Sequence, residues 1–78
     1  MLNEDELKQD FILLGKQIRK LRKERNLTPN DLSLKTGIRI KYLQKIENGL
    51  VSGILINKHL LKIAIALEIK FFELFNYK

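Results

Sequence analysis

Apolar residues recur at spacings of four and three from Leu7 through Phe11, Leu14, Ile18 and Leu21. At about 100° per residue this draws a continuous stripe down one side of a helix. The pattern predicts a long first helix ending near Arg25, with Asn3 as its N-cap and Glu4, Asp5 and Glu6 at the positive end of its dipole. Thr28 followed by Pro29 opens a second helix, because the threonine side chain satisfies an orphan amide and proline presets the backbone angle of the first helical position. Gly37 ends it. Glycine adopts the positive φ of a sharp corner without steric cost, and Ile38 is expected to fall into the core and anchor the turn. A third helix follows from about Arg39 to Asn48. Tyr42, Leu43 and Ile46 point one way along it, while Ile40, Lys41, Gln44, Lys45 and Asn48 cluster on the opposite, basic side.

Beyond Asn48 lies NGLVSGILI, a loop with two glycines and many aliphatics, closed by Asn57 as the expected N-cap of a fourth helix. Leu60, Leu61, Ile63, Ala64 and Leu67 give that helix its buried face, and Ile69, Phe71, Leu74 and Phe75 supply a short final one. His59, alone beside Leu60, reads as a helix-surface residue. There are no repeats or low-complexity stretches, so the expected architecture is all-α, a compact bundle of about five helices.

Charge sharpens this picture. Residues 1–10 carry a net −3, residues 11–45 a net +8 and residues 46–78 a net +1, so the positive charge concentrates on residues 11–45. A surface of that kind attracts phosphates by releasing condensed counterions. A basic amphipathic helix also fits the major groove of B-DNA, where Lys bonds to guanine edges and Gln to the donor and acceptor of adenine. The 78 residues suit one domain that buries only about 60% of its unfolded surface, so an oligomer would add core. Without cysteine, and with a single His59, neither disulfides nor a zinc site built from thiolates or imidazoles can form, and no cofactor is expected. No uninterrupted apolar run, Phe11 to Leu14 included, approaches the length of a membrane span and no signal-peptide pattern opens the chain; a cytoplasmic protein without a membrane partner is expected.

From Leu14 to Phe75 the chain resembles the helix-turn-helix family of lambdoid phage repressors, Cro proteins and xenobiotic-response-element-like bacterial regulators. LGKQIRKLRKERNLT, KTGI, IENG, LLKIAIAL and FELF carry the resemblance, in the family's order. It implies a lambda-repressor-like DNA-binding domain over residues 14–78, with residues 1–13 as an acidic extension lengthening the first helix. It also implies that the helix near Arg39 to Asn48 is the recognition helix. Arg22 and Glu47 match positions that form a partly buried ion pair in that family, fixing the pose of this helix.

On this basis Ile40, Lys41, Gln44 and Lys45 are the candidate base readers, and Thr28, Arg39, Tyr42 and Asn48 the candidate phosphate contacts. Tyr42 could equally pack beside Leu43. The chain departs from the family in three places. Pro29 stands where a Gln is common, Ile40 where the residue is often polar, and Arg39 where a Ser or Thr cap is usual. The loop after Asn48 is also longer by about two residues, which surface loops tolerate.

A single recognition helix reads too few base pairs to be selective, so a symmetric dimer is expected, joined through Val51, Ile54, Leu55, Ile56 and Phe72. Ile54, Leu55 and Ile56 are consecutive and cannot all point inward. The expected function is a homodimeric, sequence-specific transcriptional repressor on double-stranded DNA. Two alternatives remain open: a helix-turn-helix antitoxin whose extra surface binds a toxin, and an interaction module that kept the fold but lost DNA binding. An enzyme is not expected, since the chain has no glycine-rich phosphate loop, no acid pair suited to a cleft and no nucleophile beside a base.

Overall fold

The computed structural model describes residues 3–50 and 55–76, with the side chains of Leu55 and Ile56 outside the description. Four α-helices and a terminal 3-10 helix follow one another: α1 (Glu4–Glu24), α2 (Pro29–Thr36), α3 (Ile40–Glu47), α4 (Leu55–Leu67) and the 3-10 helix Phe71–Phe75. The last element of the expected five is thus a 3-10 helix rather than an α-helix.

Local chemistry explains the boundaries. Asn3 caps α1 by accepting a hydrogen bond from the Glu6 amide at 2.9 Å. Thr28 and Asp31 form a reciprocal box at the start of α2, in which the Asp31 amide donates to Thr28 Oγ1 at 3.0 Å and the Thr28 amide donates to Asp31 Oδ2 at 2.8 Å. These bonds, the Thr28 amide first, hold the Asp31 carboxyl below the usual aspartate range. Gly37, at φ 75°, closes α2 in the left-handed conformation. Side chains then stitch the corner. The Ser33 hydroxyl donates to the Ile38 carbonyl at 2.6 Å, and the Ile38 amide donates to Thr36 Oγ1 at 3.1 Å.

The core collects Leu14 and Ile18 from α1, Leu32 from α2, Ile38 from the corner, Leu43 and Ile46 from α3, Leu60, Ile63, Ala64 and Leu67 from α4, and Leu74. Helix α1 packs on α3 and on the 3-10 helix, while α2 packs on both α3 and α4. Gly15 lets α1 approach α3 closely, because a Cβ there would lie 2.4 Å from the Ile46 carbonyl oxygen and 2.5 Å from that of Glu47.

Several expectations need correction. The apolar stripe of α1 is buried only from Leu14 onward; Phe11 is half-buried and Leu7 is 45% exposed, because the first turns of the helix run past the bundle. Helix α4 starts at Leu55, so Asn57 lies inside it instead of capping it, and Leu55 and Ile56 are helical rather than loop residues. Leu61 is 53% exposed; it sits about a quarter-turn from the face that Leu60, Ile63, Ala64 and Leu67 bury. Phe71 and Phe75, 38% and 41% exposed, stack edge-to-face on each other, with ring centroids 5.3 Å apart. His59 is half-buried against Tyr42, with centroids 4.8 Å apart, and its Nδ1 has no hydrogen-bond partner among the described residues.

Candidate nucleic-acid interface

Helix α3 is the most amphipathic element. Leu43, Ile46 and Glu47 are buried on one side, and Lys41, Gln44 and Lys45 are exposed on the other, with Ile40 half-buried at the edge of the basic face. Positions 41, 44, 45 and 48 fall within about 100° of arc, so the exposed donors and the Gln amide form one strip. Arg39 is the N-cap residue and makes no side-chain capping bond, which leaves its exposed guanidinium at the head of the strip. Asn48, exposed, ends it.

The pose of α3 is fixed from beneath by an ion cluster. Arg22 donates from Nε to Glu47 Oε2 at 2.7 Å and from Nη2 to Oε1 at 3.0 Å, a bidentate pair with side chains only 7% and 4% exposed. Its Nη1 donates to the Leu27 carbonyl at 2.7 Å, so α1, the α1–α2 connection and α3 meet at one guanidinium. Arg19 adds a second cation to the same carboxylate, Nε to Oε1 at 3.3 Å, and is itself 44% exposed. The Arg22–Glu47 pair is the one the resemblance implies; Arg19 is an addition that the resemblance does not anticipate. Its spacing of three from Arg22, which places both on one helix face, is the signal that would have found it.

Other expected contacts are less simple. Thr28 is exposed, with its oxygen accepting from Asp31, so its hydroxyl proton remains free to donate. Tyr42 is half-buried against His59, so its ring packs, and it lines a shallow cleft together with Arg39. Of the expected dimer residues, Val51 and Ile54 and the side chains of Leu55 and Ile56 lie outside the described residues; Phe72 is 65% exposed. No described helix is long and apolar enough to cross a membrane.

Two eight-residue helices joined at a left-handed glycine, the second carrying a basic outer strip on a buried ionic footing, define a DNA-binding helix-turn-helix of the lambda-repressor-like kind. The chain belongs to the helix-turn-helix domain family, whose model matches residues 15–77. It is similar to the restriction-modification controller protein C.AhdI from Aeromonas hydrophila at 31% identity and a TM-score of 0.78, over 86% of this chain and 98% of that one. It is also similar to an HTH_3 family transcriptional regulator from Vibrio cholerae, at 31% identity and a TM-score of 0.77, over 87% of this chain and 37% of the regulator. Curated protein sequences gave no significant match. Family and fold together make this a DNA-binding regulator.

Proposed function

We propose that the protein is a sequence-specific transcriptional repressor, acting in the cytoplasm as a homodimer on an inverted-repeat operator. The observation that carries this reading is the exposed strip of Lys41, Gln44 and Lys45 on a helix whose opposite side is locked to the bundle through Glu47. A reader of base edges has to be held rigidly, since each bidentate contact depends on a placement good to a fraction of an ångström. Lys41, Gln44 and Lys45 read bases, with Ile40 against a thymine methyl; Thr28, Arg39, Tyr42 and Asn48 position the phosphates. Residues 14–78 form the DNA-binding domain, and residues 1–13 lengthen its first helix.

Dimerisation is supported by the aromatic surface at the C-terminal end, where Phe72 is 65% exposed beside the partly exposed Phe71 and Phe75. The interface combines this surface with Val51, Ile54, Leu55 and Ile56, and sets two α3 helices in successive major grooves about 34 Å apart. The likeness to a restriction-modification controller protein supports a regulatory role of this type. Sedimentation equilibrium tests the assembly. The wild type is expected to dimerise at micromolar concentration and Phe72→Asp to remain monomeric; a wild type that stays monomeric and binds an isolated half-site as tightly as a palindrome overturns it.

A further inference from the structure

Arg19 and Arg22 reach the same carboxylate but are used differently. Arg22 alone satisfies both oxygens of Glu47 at 2.7 and 3.0 Å, and its remaining contact is the Leu27 carbonyl. The Arg19 bond to Oε1 is longer, 3.3 Å, and adds to a carboxylate that is already paired. The shorter bond of Arg19 runs elsewhere: its Nη2 donates to Asn48 Oδ1 at 3.0 Å.

That contact decides which way the Asn48 amide faces. A guanidinium carries donors only, so the amide atom turned toward it has to be the oxygen. The Asn48 NH2 group then makes no hydrogen bond to protein among the described residues, and Asn48 is exposed. Asn48 follows the last residue of α3, one turn beyond Gln44 and Lys45, so the residue continues the same strip. With Arg19 gone, the amide could flip and present an oxygen to the solvent side, which would repel a phosphate instead of binding it.

We propose that Arg19 is a positioning residue for DNA binding, which turns the Asn48 amide so that its N–H groups face a backbone phosphate. This rests on the reading of Asn48 as a phosphate contact. Arg19 also contributes charge of its own, and the two effects are separable. The long-range attraction of a half-exposed cation does not depend on Asn48, whereas orientation does.

The test is a double-mutant cycle on affinity for a mixed-sequence duplex, because a phosphate contact strengthens binding to all sequences alike. Arg19→Met and Asn48→Ala are each expected to weaken binding about tenfold, and the double variant by no more than about threefold beyond either single. Arg19→Lys, which keeps a donor-only head, should stay within about threefold of wild type, and Arg19→Gln, whose amide can accept as well as donate, should fall with Arg19→Met. Thermal melts establish that each variant is folded at the assay temperature; Arg22 still holds Glu47 in all of them. Losses that multiply in the double variant, or an Arg19→Met or Arg19→Gln variant that binds as wild type does, overturn the positioning role. An Asn48→Ala variant with undiminished affinity overturns the phosphate reading of Asn48 and the role of Arg19 with it.

Discussion

Replacing Glu47 by Ala removes the acceptor for two bonds of a nearly buried guanidinium. Arg22 is 7% exposed in its side chain and keeps only its bond to the Leu27 carbonyl, so its charge is left largely unpaired inside the bundle. Breaking a buried pair from one side costs about 3 to 5 kcal/mol, and the surviving carbonyl contact places this case near 3. The Arg19 bond adds little, since exposed pairs contribute about 0 to 1 kcal/mol. A domain of this size loses roughly 4 to 8 °C of melting temperature per kcal/mol, so Glu47→Ala should melt roughly 12 to 24 °C lower. Arg22→Ala should cost less, because Glu47 retains Arg19. Urea denaturation of both single variants and the double variant gives the coupling energy directly, and Arg22→Met with Glu47→Leu should recover much of the loss. A coupling below about 0.5 kcal/mol, or a Glu47→Ala variant as stable as wild type, would refute the argument.

Three further outcomes are expected. Gly15→Ala should lower stability by about 1 to 3 kcal/mol in urea titration despite the better helix propensity of alanine, because its Cβ would meet the Ile46 and Glu47 carbonyls at 2.4 and 2.5 Å; a stabilised variant would contradict the close packing of α1 on α3. The Asp31 carboxyl lies below its ordinary pKa of 3.8 in the fold, so its stabilisation is present above that value and lost as pH falls through the lower folded value; Asp31→Asn should flatten this acid limb of a stability-against-pH curve, and an unchanged limb would contradict it. Lys41→Ala and Gln44→Ala should each cost about 1 to 3 kcal/mol on the preferred site and relax preference at one base pair, whereas Arg39→Ala should weaken all sequences alike in competition binding.

The parts of the fold that were legible in the sequence are those with local chemistry. The N-caps at Asn3 and Thr28 and the corner at Gly37 and Ile38 fall where their residue types require, and the two faces of α3 follow from its period. Other features escaped. Asn57 is a good cap by type, yet α4 begins two residues earlier, at Leu55. The stripe through Leu7 continues after the bundle it should cover has ended, and periodicity alone carries no mark of that end. Leu61 is expected on the buried face with Leu60, Ile63, Ala64 and Leu67, while the helix turns it outward. At the interface, the basic strip was readable from spacing and the Arg22–Glu47 pairing from family resemblance. Arg19 was missed because the resemblance implies only the Arg22–Glu47 pair, although Arg19 shares the helix face of Arg22 and reaches both Glu47 and Asn48.

Selection of bound sequences from a random duplex pool tests the central claim most directly, since it asks at once whether the protein reads base sequence and whether it does so as a symmetric pair. Enrichment of a single inverted repeat with half-site centres one helical turn apart, abolished by replacing Lys41 and Lys45 with Ala, is the predicted result. A pool that stays random after repeated rounds at moderate salt, with the protein folded and in excess, would contradict it.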